Sequence, residues 1–189
     1  DEQITLENTQ LTTQTRPGAN SEPQQFSLKA AEIVARMGEQ QLSIRQGVLD
    51  AGLRHADNWQ GSLALSLAFG LEGDLAAQTA QLKDLQLTGP DGLRVSGHLN
   101  LEQLLEAPQY SGQLTAAPFT LRPWISRTGA TLNTTSEAAL SDVALTSPVE
   151  GDLSRIALPR LSLVIDDSTF TGDVRAALDG SQLSFNLDG

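Results

Sequence analysis

The sequence of 189 residues contains no cysteine, which excludes disulfide scaffolds, thiolate zinc sites, iron–sulfur clusters and cysteine nucleophiles. Aromatic residues make up only 4% of the chain, which disfavours carbohydrate-binding platforms, single-strand nucleic-acid grooves and haem pockets. No run approaches the roughly 18 consecutive apolar residues that cross a bilayer, and the sequence does not open with the basic segment of a signal peptide. Any targeting segment or membrane anchor is therefore expected to lie outside these residues.

Positive charge is also in short supply. The chain has 12 Lys and Arg against 23 Asp and Glu, a formal net charge of -11. Nucleic-acid binding is driven by basic side chains that displace counterions from phosphates, so no nucleic-acid partner is expected. The composition favours partners that are neutral, apolar or basic.

Aliphatic residues are abundant, and they alternate with small or polar residues. This period of two is typical of β-strands with one apolar face. The alternating apolar residues are Leu63, Leu65, Leu67, Phe69 and Leu71, then Leu93, Val95 and Leu99, then Leu161, Leu163 and Ile165, then Phe170, Val174 and Leu178, and finally Leu183, Phe185 and Leu187. Turn sequences rich in Gly, Pro, Asp and Ser separate the runs. The spacing predicts an all-β fold, an elongated and curved antiparallel sheet with one or two short helical turns.

Three segments are less clear. Residues 26–37 fit either a helix capped by Ser27 or a β-hairpin arm, and the alternation of Phe26-Ser27-Leu28 favours the strand. Single helical turns are predicted for residues 101–106 and 121–127. The polar residues 8–25 are predicted to be a connector or long loop, so that residues 1–25 provide an edge strand and a connector and residues 26–189 form the main sheet.

Few residues are candidates for chemistry. Asp166 and Asp167 form a carboxylate pair, but adjacent strand residues point to opposite faces, and Asp-Asp-Ser-Thr is favourable turn sequence. The two histidines, His55 and His98, have no potential metal ligand or catalytic partner at short spacing. The sequence therefore predicts no enzyme activity, no catalytic residue, no metal site and no cofactor.

The two rings Tyr110 and Trp124 allow two interpretations. As amphipathic rings, they could line an opening through which a lipid enters. The interpretation we favour is structural: Tyr110 packs across strands, and Trp124, which follows Pro123, plugs one end of the sheet.

The apolar stripes also allow two interpretations. They could form the core of a two-layer sandwich, as in most β proteins. Alternatively, they line a groove, because an aliphatic surface with few polar groups suits acyl tails, which need burial but no specific hydrogen bonds. The groove interpretation predicts that these stripes bind a phospholipid or a similar amphiphile.

Several segments resemble the AsmA family of bacterial envelope proteins. They are LRVSGHLNLEQLLEAPQYSGQL at 93–114, PFTLRPWI at 118–125, ALSDVAL at 139–145 and LPRLSLVIDDSTFTG at 158–172. The resemblance covers about residues 60–189. It implies a β-groove fragment of a longer periplasmic protein in a Gram-negative bacterium, anchored to the inner membrane by an N-terminal helix that is absent here.

Through this family, the chain is similar to bridge-like lipid-transfer proteins. The resemblance implies lipid transport and a part in outer-membrane biogenesis. The alternative is a non-catalytic cell-envelope scaffold or interaction module that receives a partner strand at a sheet edge and assists outer-membrane protein assembly.

Overall fold

The computed structural model describes residues 2–16, 22–54, 61–127 and 139–189. They form one antiparallel sheet of 11 strands in which each strand pairs with its sequence neighbours. The strands are β1 Gln3–Thr15, β2 Gln24–Arg36, β3 Gln41–Leu53, β4 Leu63–Asp74, β5 Thr79–Thr88, β6 Arg94–Glu102, β7 Gln109–Phe119, β8 Val143–Asp152, β9 Arg155–Ile165, β10 Ser168–Ala177 and β11 Leu183–Asp188. The predicted all-β antiparallel fold is therefore confirmed.

Among the residues that the structure describes, helix is confined to α1, Arg122–Arg127. Its first turn is closed by the amides of Trp124 and Ile125, which donate to the Leu121 carbonyl, and Pro123 occupies a first-turn position that needs no amide donor. The predicted turn at 121–127 is thus confirmed, whereas the one at 101–106 is wrong for its first two residues, which end β6. No helix in the described ranges is long and apolar enough to cross a membrane.

The N-terminal third is more strand-rich than predicted. Residues 24–36 form β2, as the alternation of Phe26-Ser27-Leu28 favoured. The predicted connector at 8–25 is too long, because β1 continues to Thr15 and pairs with β2 down to Gln24. Threonine is β-branched and favours extended backbone, so the Thr-rich polar stretch of β1 extends the edge strand.

Apolar residues form continuous rows across the strands, because register partners on neighbouring strands point to the same face. The first apolar row is Leu11, Leu28, Leu49, Leu67, Leu87, Val95, Ala116, Leu145, Leu163 and Phe170. The second is Ile4, Ala35, Leu42, Gly73, Ala80, Leu101, Tyr110, Gly151, Ile156, Ala176 and Leu183. We call the surface that carries these rows the apolar face.

The opposite surface, the polar face, carries hydroxyl, amide and charged side chains. One row across it is Gln10, Lys29, Val48, Ala68, Gln86, Ser96, Thr115, Thr146, Ser162, Thr171 and Asp188. From Gln86 onward this row is exposed, whereas the first apolar row is buried or half-buried from Leu87 to Phe170. Within the described chain, the two faces therefore differ in both chemistry and accessibility.

A line of β-bulges crosses the middle of the sheet. Register shifts fall between Ile44 and Gly47 in β3 and between Leu82 and Leu85 in β5. The residues inside these bulges, Gln46 and Asp84, have φ of 51. A bulge bends its strand and increases the local twist, so bulges on neighbouring strands fold the sheet along a common line.

Burial is greatest beside this line. On the apolar face, the exposed fraction falls to 4% at Ala30, 6% at Leu85, 0% at Ser147 and 4% at Leu161. The Ser147 hydroxyl donates to the backbone carbonyls of Pro148 and Pro159, which satisfies a buried polar group. The sheet is therefore curved, with its best-packed side chains along the fold.

The molecule remains open. No described strand has a Cα atom within 8 Å of a strand other than its sequence neighbours, and β1 and β11 form two unpaired edges. The accessible surface is 12145 Å², whereas a compact chain of this mass would expose roughly 8,700 Å². An open curved sheet, not a closed sandwich, accounts for the excess surface.

Candidate functional site: the apolar face

The structure brings nearly all the residues predicted for the groove onto the apolar face. Residues 63, 65, 67, 69 and 71 alternate along β4, and their partners on β3 include Leu53, Leu49 and Ile44. On β9 and β10, Leu163 pairs with Phe170, and Leu161 pairs with Gly172. On β11, Phe185 pairs with Val174, and Leu187 pairs with Gly172.

Two predicted residues lie outside the strands. Leu93 precedes β6, beside the turn in which its amide donates to the Pro90 carbonyl at 3.2 Å. Leu178 follows β10, and its amide donates to the Ser154 carbonyl at 2.8 Å, while its side chain is exposed. Leu93 still lies beside the apolar residues of β4, because its Cδ2 and that of Leu65 both lie within 3.2 Å of the Cβ position of Gly89. Leu178 lies past the end of β10.

The residues predicted for the groove did not include those that flank the bulges of β3 and β5. Ile44 and Gly47, like Leu82 and Leu85, are three residues apart yet share the apolar face, because a bulge inserts one extra residue. In β8, Leu145 and Val149 flank the buried Ser147. The sequence does contain a signal for each bulge. In β3 and in β5, two short alternating runs follow one another, and the second is out of phase with the first by one residue.

Three open concavities bounded by described residues are lined by residues of both faces. Their volumes are about 640, 700 and 490 Å³. Of the second apolar row, the first concavity is lined by Tyr110, Gly151, Ile156 and Ala176, and the second by Leu42, Gly73, Ala80 and Leu101. The first two share Asn100, Glu102 and Ser111, and the third lies beside Asp50 and Ser66. Of the residues predicted for the groove, only Leu65 lines one of them. A twisted sheet is saddle-shaped and is therefore concave in one direction on each face.

The carboxylate pair lies in a turn between two strands. Asp166 and Asp167 connect β9 to β10, as the turn interpretation predicts. The Asp166 carboxylate accepts hydrogen bonds from the amides of Leu140, Ser141 and Asp142 at 2.8, 3.2 and 3.2 Å. These hydrogen bonds lower the pKa of Asp166, and the one from the Leu140 amide has the largest effect. The side chain joins the segment before β8 to the β9–β10 hairpin.

We expect Asp166→Ala to accelerate amide hydrogen exchange at Leu140, Ser141 and Asp142 several-fold, because their acceptor is lost. Asp167→Ala, in the same turn, is the matched control and should leave exchange unchanged. Because the pKa of Asp166 is lowered in the folded state, its hydrogen bonds stabilise the fold fully above the ordinary aspartate pKa of about 3.9. This stabilisation is lost as the pH falls through the pKa of Asp166 in the folded state. Equal acceleration by both variants would contradict the tether.

Tyr110 packs across strands, which confirms the structural interpretation of that ring. It faces Gly151 in register, and its hydroxyl donates to the Arg155 carbonyl at 3.1 Å. Burial, and secondarily the charge of Asp152, raises the pKa of Tyr110. The ring covers the backbone of a neighbouring glycine.

Trp124 lies at one end of the sheet, as the same interpretation predicts. The Arg127 guanidinium stacks 5.0 Å from the centroid of its ring and forms a 2.6 Å ion pair with Asp91 in the β5–β6 connection. The Thr120 amide also donates to the Asp91 carbonyl. These contacts hold α1 against the strand ends.

The two histidines, the remaining candidates for chemistry, are not brought together with other reactive side chains among the described residues. His98 is exposed on the polar face, opposite Gln113, and His55 lies outside the described residues. In the described ranges, no group of three or more His, Cys, Asp or Glu side chains could hold a metal ion. The apolar face is therefore the main candidate for a binding surface.

No protein-family model matches the chain, and the searches of curated proteins and of solved structures also return no match. The resemblance to the AsmA family stays a prediction from the sequence.

Proposed function

We propose that this chain is a lipid-binding β-groove segment of an AsmA-like protein and that it seats the acyl tails of a phospholipid or similar amphiphile on its apolar face. The observation that carries the proposal is the continuity of the apolar rows, the second of which crosses all 11 strands. A row that only stabilised the sheet would not need to continue to both open edges.

The dimensions of the apolar face suit hydrocarbon. Strands about 4.8 Å apart make a surface of roughly 50 Å across the sheet, longer than one extended acyl chain. Each methylene removed from water stabilises the complex by about 0.8 kcal/mol, so ten methylenes supply useful affinity without any polar anchor. Equivalent contacts on successive strands would also permit movement along the surface.

The charge distribution suits a headgroup that stays in water. Of the charged residues on the strands, Lys29, Asp50, Glu72 and Lys83 form ion pairs with one another: Lys29 with Asp50, and Lys83 with Glu72. None of these residues belongs to the apolar rows. The proposed ligand is therefore held by its tails and not by a clamp for its phosphate.

The biological setting is proposed from the resemblance. It comprises a periplasmic location, an inner-membrane anchor outside the present residues, phospholipid transfer and a role in outer-membrane biogenesis. The proposed mechanism is passive shielding of the tails. No catalytic step is proposed, because the carboxylate pair is engaged in a turn and the described histidine lies exposed on the other face.

Native mass spectrometry of protein purified from bacterial cells, with extraction and mass analysis of the bound lipids, tests this proposal. We expect adducts with phospholipid masses that disappear after delipidation and return on incubation with phospholipid micelles. An adduct-free chain that takes up no phospholipid would contradict it. An adduct-free complex with a second protein would instead support the scaffold alternative.

A further inference from the structure

The five hairpin connections at one end of the sheet each carry an exposed, large apolar side chain. We call these connections, residues 37–40, 75–78, 103–108, 153–154 and 178–182, the rim. Their apolar side chains have exposed fractions between 46% and 76%, and they are Met37, Leu75, Leu105, Leu153 and Leu178. In the described connections at the opposite end, no large apolar side chain is exposed. Each connection of the rim joins two paired strands, so these side chains lie along the strand ends and not on an open edge.

Backbone hydrogen bonds between neighbouring connections hold the rim in a fixed order. In three connections, an amide donates to a carbonyl of the preceding connection. The donors are Leu75, Leu104 and Leu178, and their acceptors are Gln40, Gln78 and Ser154, at 2.8, 3.3 and 2.8 Å. Because these backbone groups are already paired, a partner must recognise the rim through its side chains and not by adding a strand.

The two larger concavities of the sheet, of about 640 and 700 Å³, lie beside the rim. Both are lined by strand residues that directly flank its connections. These residues are Gln109, Asp152, Arg155 and Ala177 in the first concavity and Arg36, Gln41, Asp74 and Thr79 in the second. Glu102, which precedes the connection at 103–108, lines both. The rim therefore combines protruding apolar side chains with recesses next to them.

The charge of the rim is negative. With the one strand residue that flanks each connection on either side, the rim holds six carboxylates against two guanidinium groups, which gives a net charge of -4. The carboxylates are those of Glu39, Asp74, Glu102, Glu106, Asp152 and Asp179, and the guanidinium groups are those of Arg36 and Arg155. The lining of the two concavities adds the carboxylates of Glu72 and Glu150 and the guanidinium group of Arg175. This charge favours a partner whose polar side chains are basic.

The spacing of the apolar side chains along the rim matches that of an α-helix. Successive connections are two strands apart, or roughly 9.6 Å. Seven residues of α-helix rise about 10.5 Å, so a helix with an apolar residue at every seventh position repeats at nearly the same interval. The five connections together span roughly 38 Å, the length of a helix of about 26 residues. A helix also satisfies its backbone hydrogen bonds internally, which suits a rim whose own backbone groups are paired.

We propose that the rim binds a basic amphipathic α-helix of a partner protein. The helix lies along the rim, with its apolar residues on the five exposed side chains and its Lys or Arg side chains in the concavities beside them. An anionic lipid surface and a second copy of this chain are both negatively charged, so the rim repels them. A neutral bilayer would cover the carboxylates without supplying a countercharge, which is costly. A basic helix satisfies both the apolar repeat and the charge.

Fluorescence anisotropy with a labelled synthetic peptide tests the proposal on the delipidated chain. The probe is a helix of about 26 residues with Leu at positions a and d of each heptad, Lys at e and g, and Ala or Gln elsewhere. The control peptide has the same composition, but its leucines are scattered around the helix. We expect a dissociation constant on the order of ten micromolar for the probe and at least about tenfold weaker binding of the control peptide.

Substitutions of exposed residues locate the binding surface. Leu105→Ser and Leu153→Ser should each raise the dissociation constant of the probe at least about fivefold, whereas Leu11→Ser, at an exposed leucine of β1, should not change it. Glu102→Gln should weaken binding and reduce its dependence on salt, whereas Glu7→Gln makes the same change of charge on β1 and should affect neither. Circular dichroism verifies that each variant is folded.

Three outcomes would overturn the proposal. They are equal binding of the two peptides, rim variants that bind the probe as the parent does, and flotation with phosphatidylcholine vesicles that the substitutions of Leu105 and Leu153 abolish. The last result would make a lipid surface the occupant of the rim. The peptide measurements require no lipid on the apolar face, so their outcome is separable from that of the proposed function.

Discussion

Replacement of Leu163 by aspartate is expected to abolish phospholipid binding, whereas replacement of Val164 leaves it intact. Leu163 lies in the first apolar row between Leu145 and Phe170. Val164 is the next residue of the same strand and points to the opposite face, beside Ala144. A carboxylate on the apolar face must lose its hydration when a tail covers it, so we expect at least about a hundredfold weaker binding.

The two variants form a matched pair. Both introduce an aspartate at neighbouring positions of the same strand, and the two positions differ in the face of the sheet to which they point. Binding is measured by titration with a fluorescent phospholipid, after circular dichroism has verified the fold. Leu65→Asp with Ala64→Asp provides a second pair on β4 if β9 does not tolerate the change. Retained binding in folded Leu163→Asp and Leu65→Asp, or equal loss in the two control variants, would contradict a seat on the apolar face.

Gly97→Ala is expected to lower the free energy of unfolding by about 2–3 kcal/mol. A Cβ atom at Gly97 would lie 2.0 Å from the Gln113 carbonyl oxygen and 3.1 Å from Leu114 Cδ2. The first obstacle belongs to the backbone of the paired strand β7, which cannot turn away as a side chain can. The glycine lets β6 and β7 approach closely on the fold of the sheet.

Gly70→Ala is the matched control for that substitution. Gly70 also lies within a strand, but the nearest atoms to its Cβ position are carbonyl oxygens of Ile44 and Lys83 at 3.9 Å, an ordinary contact. We expect its stability to stay within about 0.5 kcal/mol of the parent or to rise slightly. Urea denaturation of both variants gives the comparison, and equal midpoints would refute the close approach at Gly97.

The periodicity of two predicted the fold class because each strand needs one apolar side and one polar side to form a single sheet. The run from Leu63 to Leu71 shows this most clearly, since β4 keeps strict alternation across its whole apolar stretch. The sequence also predicted correctly that Asp166 and Asp167 form a turn. What the sequence could not reveal was that Asp166 would bind three amides of residues more than twenty positions earlier.

The bulges explain most of what alternation missed. Gln46 has no sequence signature of a left-handed residue, because glycine, asparagine or aspartate would be the usual choice, and a single aspartate such as Asp84 is too common to mark a bulge by itself. At Arg160, φ is 52, and its amide donates to the Asp173 carboxylate at 3.0 Å, a contact between neighbouring strands. Such tertiary contacts stabilise conformations that local propensity disfavours, so they become visible only when the strands are paired.

The continuous apolar face could be predicted only in part for the same reason. Leu67 and Leu163 were recognised individually, but their membership in one row depends on the five strand registers between β4 and β9. A change of one residue in the pairing register of any strand would have moved its apolar side chains to the opposite face of the sheet.

The most direct test of the central proposal is methyl NMR of the chain with a phospholipid that carries a nitroxide near the end of its acyl chain. If the tails lie on the apolar face, the methyl signals of Leu67, Leu145 and Leu163 broaden strongly, while those of Thr115, Thr146 and Thr171 on the polar face stay sharp. Broadening of the threonine methyls equal to or greater than that of the leucines would place the hydrocarbon elsewhere and contradict the account.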